Sequence, residues 1–132
     1  MKGRPTGELK AAKQLAPFLE IKQFGGREFV DLRKPSSADK KRAGKALDYA
    51  RKALAEKPDL LVLDEANLAA AIGLVGPAEV LALARAAPKK TRIILTGRNA
   101  PKEFIAAADF VSEIRDVKRP RAGTKPVKGI EY

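Results

Sequence analysis

The sequence predicts an α/β fold: a parallel sheet with helices on both faces. Three observations lead there. Leu60–Asp64 is a continuous apolar run of strand length, and a strand buried on both faces belongs in a parallel sheet. Arg92–Thr96 is a second such run, separated from the first by segments with helical spacing. Strands alternating with helices imply βαβ units.

From the N-terminus, Gly7 to Ala16 places Leu9, Ala12, Leu15 and Ala16 at helical spacing, and Pro17 closes that helix. Leu19 to Phe24 alternates Leu19 and Ile21 with polar residues and stops at Gly25-Gly26. That reads as a short strand and turn. Arg27 to Pro35 is a polar connection holding Phe29, Val30 and Leu32. Ser36 or Ser37 caps the next helix, whose apolar stripe is Ala43, Ala46, Leu47, Ala50 and Leu54. Pro58 and Asp59 end it. After the Leu60–Asp64 strand, Leu68 to Leu74 forms a short helix closed by Gly73 or Gly76. Pro77 suits the first turn of the following helix, which carries Val80, Leu81 and Leu83.

The Arg92–Thr96 strand runs out into TGRNAP. Asn99 is placed to cap the helix that Pro101 begins, with Phe104, Ile105 and Ala108 inward. Phe110 to Ile114 reads as a last strand. From Lys118 the chain is basic and broken by Pro120, Gly123, Pro126 and Gly129, so 118–132 is expected to be an extended, irregular tail. No repeat and no linker divides the chain, and 1–132 reads as a single α/β domain.

Composition narrows the chemistry. The 132 residues contain no Cys and no His. No thiol nucleophile, Ser-His-Asp triad, disulfide framework or ordinary zinc site can be built from them. Any metal held must be a hard cation on oxygen ligands, magnesium first among them. Lys and Arg number 27 against 16 acids, a net charge of +11. Such a field attracts polyanions: nucleotides, nucleic acid or an acidic partner. The plainer reading is a solvated Lys-rich surface. Trp is absent and aromatics make up 5%, so the stacking platforms of single-strand binders are poorly supplied and nucleic acid is not the expected partner. The opening MKGRPTGELK has no apolar core of a signal peptide, and no run approaches the roughly 18 apolar residues that cross a bilayer. The default compartment is the cytoplasm, with no membrane partner.

In a parallel sheet, ligands sit outside the C-terminal ends of the strands. One strand ends in Asp64-Glu65-Ala66-Asn67, the other in Thr96-Gly97-Arg98-Asn99. If the strands are neighbours, carboxylates and a guanidinium face one crevice. Four apolar residues followed by two acids match the Walker B pattern, in which the first acid serves a magnesium ion and the second touches metal or reactant. The plainer alternative is that Asp64 or Glu65 merely caps the next helix. Gly97 allows a tight strand exit. Arg98 offers a planar fork suited to phosphate oxygens, unless it is a surface Arg paired with an acid.

The segments PDLLVLDEANLAAAIGL, IILTGRNAPKEFIAAADFVSEIRDVKRP and KGIEY, in this order, resemble the P-loop-type ATP:corrinoid (cob(I)alamin) adenosyltransferases. KGRPTGELKA, IKQFGG and EFV are similar to the middle of the same family. The resemblance implies a P-loop NTPase (RecA-like) fold lacking its first strands. It implies transfer of the 5′-deoxyadenosyl group of ATP to the reduced cobalt of a corrinoid, with magnesium, in adenosylcobalamin formation. Asp64 and Glu65 match the family's acids at the metal and reaction centre, with Asn67 beside them. Thr96 and Arg98 match the TGR signature facing nucleotide or corrinoid. Thr6 and Glu8 match the TGE segment at the nucleotide. Phe29 falls in the loop that approaches the corrinoid, where some members carry a Trp. A reductase or flavoprotein reductant is an implied partner.

One departure stands out. GxxxxGK[ST] occurs nowhere in the 132 residues, so the cradle of backbone amides and its Lys are not among them. The expectation is either that the chain is a fragment, begun at an internal Met, or that the missing segment comes from a homodimer or a separate polypeptide, and that the chain alone is inactive. The alternatives are a non-catalytic relative that binds corrinoid or protein, and a nucleic-acid-binding α/β domain.

Overall fold

Two adjacent parallel strands organise the half of the molecule that carries the predicted acids. In the computed structural model, which describes residues 7–26, 30–118, 123–125 and 127, β1 (Leu60–Leu63) pairs with β2 (Arg92–Leu95). The register sets Leu60 opposite Arg92 and Leu63 opposite Leu95. The backbone pairing extends one residue beyond each end. Arg92 N–H donates to Asp59 O at 2.8 Å, and Thr96 N–H donates to Leu63 O at 3.2 Å.

The remaining elements are helices: α1 (Gly7–Gln14), α2 (Ser37–Ala55), α3 (Ala66–Ala71), α4 (Pro77–Arg85) and α5 (Lys102–Ala107). The chain forms two compact units. The first is Gln23–Asp109 and contains both strands and α2 to α5. The second is drawn from chain on either side of it. There, α1 buries Ala12, while Phe110, Ile114 and Val117 are almost fully exposed.

Period-two alternation sends Leu61, Leu63, Ile93 and Leu95 to one face of the sheet. They pack on a cluster of Leu47, Ala50 and Leu54 from α2, Val80 and Leu83 from α4, and Phe104 from α5. Val80 is completely buried. Sequestering a side chain of this kind contributes about 1.5–3 kcal/mol, which is how short helices are held. The opposite face differs from expectation. Leu60, Val62 and Ile94 are 51%, 47% and 44% exposed, so among the described residues helices seal one face and not both.

Helix starts follow side-chain chemistry. Ser36, not Ser37, caps α2. Its Oγ accepts from Asp39 N–H at 3.1 Å, and Asp39 Oδ2 accepts from Ser36 N–H at 3.0 Å. Arg42 donates to the same carboxylate at 2.6 Å. The Ser36 hydroxyl first, and Arg42 after it, hold the Asp39 carboxyl below its usual range. Pro77 occupies the first turn of α4, where its missing N–H costs nothing.

Three expectations fail. Leu19–Phe24 and Phe110–Ile114 form no strand. A strand needs a ladder neighbour, and among the described residues the sheet has only β1 and β2. Asn99 does not cap α5: it lies in the left-handed region at φ 58°, and Pro101 directly precedes the helix. The basic tail falls largely outside the described residues, and its described positions are irregular. Among the described residues no helix is long and apolar enough to cross a membrane.

Candidate functional site

Because Leu63 stands opposite Leu95, the two strands deliver their exits side by side. Asp64 leaves β1 as Thr96 leaves β2. The Thr96 hydroxyl donates to Asp64 Oδ1 at 2.7 Å and accepts from Glu65 N–H at 3.0 Å. One turn of chain later, Asn67 N–H donates to Thr96 O at 3.0 Å, and Asn67 Nδ2 donates to Gly97 O at 3.1 Å. These bonds lock the two exits into one structure.

Glu65 takes the left-handed conformation, φ 59° and ψ 19°, and stands at the N-terminus of α3 without a side-chain capping bond. Asp64 gives its carboxylate to Thr96. Helix capping by a side chain therefore accounts for neither acid. A non-Gly residue in this region costs about 1–2 kcal/mol. Glu65 also has an oxygen, Oε2, that is buried and accepts no hydrogen bond among the described residues.

Gly97 makes the close approach possible. Its φ is +118°, and a Cβ there would stand 3.1 Å from Glu65 Cα and 3.2 Å from both Glu65 Oε2 and Leu68 N. Only glycine meets both demands. Arg98 follows on the exposed side, with no hydrogen bond or ion pair among the described residues. Among the described residues, no acid forms the surface pairing that would make it ordinary.

Asp64, Glu65, Asn67, Thr96 and Arg98 thus share one end of the sheet. Glu8 lies in the first turn of α1, exposed, in the other unit. Thr6 and Phe29 lie outside the described residues. Sequence reasoning missed the Thr96–Asp64 bond. Neither segment carries a signal for it alone: only the in-register pairing places the residue after each strand next to the other.

No group of three or more acidic side chains gathers as a metal cage among the described residues. The strand end nevertheless supplies only hard oxygen donors. Asp64 Oδ2 has no hydrogen-bond partner among the described residues, and neither does Glu65 Oε2. Magnesium habitually binds through one or two carboxylates and completes its shell with water and phosphate, so the donor set fits such an ion.

The chain matches the ATP:corrinoid adenosyltransferase BtuR/CobO/CobP family over residues 1–132 and belongs to that family. It is 42% identical over 74 residues to a corrinoid adenosyltransferase of Pseudomonas aeruginosa, covering 55% of this chain and 36% of that protein. It is 37% identical over 75 residues to the corrinoid adenosyltransferase CobA of Salmonella typhimurium, covering 56% of this chain and 38% of that protein. An uncharacterized Nostoc protein is 33% identical over 127 residues, 95% of this chain and 34% of its own length. The chain spans 34% to 44% of the length of these and the other curated relatives it matches.

Proposed function

We propose that the chain contributes the strand-end part of an ATP:corrinoid adenosyltransferase site. The observation that carries this reading is the family match across residues 1–132. The arrangement of Asp64, Thr96 and Arg98, the last without a partner among the described residues, supports it.

In the transfer, the electron pair of reduced cobalt forms a bond to the 5′ carbon of ATP. The bond from that carbon to oxygen breaks, and triphosphate leaves with its electrons. The nucleophile belongs to the corrinoid, so the protein's share is positioning and electrostatics, for which neither Cys nor His is required. Asp64 and Glu65 would hold magnesium, which when bound offsets the negative charge of the triphosphate. Arg98 engages phosphate oxygens through its fork. Asn67 keeps the strand exits together; by resemblance alone, Thr6 and Glu8 are assigned to the nucleotide and Phe29 to the corrinoid. A reductase or flavoprotein supplies the reduced corrinoid.

The 132 residues include no GxxxxGK[ST]. Scattered Lys and Arg attract ATP but do not replace a rigid nest of backbone amides. That cradle is supplied in cis or by a second polypeptide. The test follows adenosylcobalamin formation from reduced corrinoid and ATP by its visible spectrum. The 132-residue chain alone is expected to bind ATP weakly, in a salt-sensitive way, with negligible transfer. Supplying a P-loop segment restores transfer, and Glu65→Ala abolishes it again. Robust turnover by the chain alone overturns the need for an outside cradle. No transfer with the segment supplied replaces this reading with a non-catalytic corrinoid- or protein-binding relative.

A further inference from the structure

A threonine hydroxyl has one proton to give and lone pairs to accept with. Thr96 has committed both functions: the proton to Asp64 Oδ1 at 2.7 Å, and acceptance to Glu65 N–H at 3.0 Å. Its backbone is tied as well, by the bond from its N–H to Leu63 O and the bond its own carbonyl accepts from Asn67. Turning the hydroxyl toward a nucleotide would break two hydrogen bonds at once. Asp64 is left with Oδ2, which carries no hydrogen bond among the described residues on an exposed residue.

We propose that Thr96 is a positioning residue that presents Asp64 to a divalent cation through one carboxylate oxygen, and so selects a small ion over a large one. The inference rests on the magnesium part of the proposed function. Calcium takes six to eight oxygens and readily uses both oxygens of a carboxylate; magnesium demands compact octahedral geometry, met by single oxygens. With Oδ1 occupied by Thr96, two-oxygen binding by Asp64 must displace a charge-assisted hydrogen bond. The larger ion therefore loses its preferred mode and the smaller does not. The bond from Glu65 N–H to the same hydroxyl fixes its rotation, so the proton stays on the Asp64 side.

The experiment uses the full 132-residue chain and three probe ions. Bound manganese is measured from loss of the free-ion electron paramagnetic resonance signal, and magnesium and calcium are titrated as competitors. Circular dichroism confirms the fold of each variant. The wild-type chain is expected to release manganese to magnesium at lower concentration than to calcium. Thr96→Ser, which keeps the hydroxyl, holds that preference. Thr96→Val weakens metal binding by about tenfold, as loss of an outer-shell hydrogen bond does at other metal sites, and shrinks the magnesium-to-calcium ratio because both Asp64 oxygens are then open to the larger ion. If Thr96→Val does not fold, Thr96→Ala makes the same comparison. An unchanged ratio in a folded variant without the hydroxyl overturns the role of Thr96 while the magnesium reading stands. Failure of the wild-type chain to bind manganese overturns this inference; the magnesium reading, in which water and phosphate complete the ion's shell, falls only if manganese also fails to bind with ATP and a P-loop segment supplied.

Discussion

Asp64 and Thr96 meet across the ends of two neighbouring parallel strands, carboxylate to hydroxyl at 2.7 Å. They are 32 residues apart in sequence, and only the in-register pairing of β1 with β2 brings them together. The contact ties the site's chemistry to the alignment of the sheet: a slip of one residue would turn one of the two partners to the other face.

Asp64→Asn tests the charge without removing the contact. The amide oxygen still accepts from Thr96, so thermal stability should stay close to wild type. In a transfer-competent preparation, with the P-loop segment supplied, kcat should fall by about 10²–10³, the loss typical of removing one preorganised electrostatic group. Single-turnover kinetics alongside a melting curve separate the two effects.

Gly97→Ala tests the close approach. The backbone must hold φ +118° with a methyl group 3.1 Å from Glu65 Cα. The conformation alone costs about 1–2 kcal/mol, and the contact adds to it. A urea-unfolding midpoint well below wild type is expected. An unchanged midpoint would mean that the two strand exits part easily.

Phe104→Ala tests the anchor of α5. The ring is 4% exposed and belongs to the central cluster. Its removal should cost about 3–5 kcal/mol, a large share of the stability of a unit this small. Loss of cooperative unfolding in calorimetry is the expected sign.

The start of α2 gives a pH test. The folded Asp39 carboxyl is held below the usual carboxylate range by the Ser36 hydroxyl first and Arg42 after it. A depressed acid contributes stability that is complete above the unfolded value and is lost as pH falls through the folded one. Helicity of α2 should therefore be insensitive to pH near neutrality and decline below the ordinary carboxylate range. In Ser36→Ala that decline should begin at higher pH, and amide exchange in the first turn of α2 should quicken. Titration of the Asp39 carboxyl by nuclear magnetic resonance checks the direction.

Much of this was legible in the residues because local physics decided it. The stripe of Leu47, Ala50 and Leu54, the proline at the start of α4 and the positions and parallel pairing of β1 and β2 formed as their patterns predict, while the burial of both sheet faces that the apolar runs also predict did not. Strand pairing was less legible. Leu19–Phe24 and Phe110–Ile114 have suitable composition, but a strand exists only with a neighbour, and neighbours are not encoded within a six-residue window. Asn99 was misread because its left-handed backbone serves the loop after β2 rather than α5. At the site, each residue type was readable in order. The bond that joins Asp64 to Thr96 was not, because it depends on a register that neither segment specifies alone.

The half-exposed side of the sheet has a colloidal consequence. Leu60, Val62 and Ile94 put a strip of aliphatic carbon at the surface of a sheet two strands wide, and among the described residues no third strand joins the ladder. Water wets such a strip poorly, and an open ladder is a template for any other extended chain. The net charge of +11 keeps copies apart while the solution is dilute in salt. Added salt shortens the reach of that repulsion to about 8 Å at 0.15 M and leaves the aliphatic attraction intact. Light scattering is therefore expected to be lowest at low ionic strength and to rise with added salt, the reverse of a protein held in solution by screening.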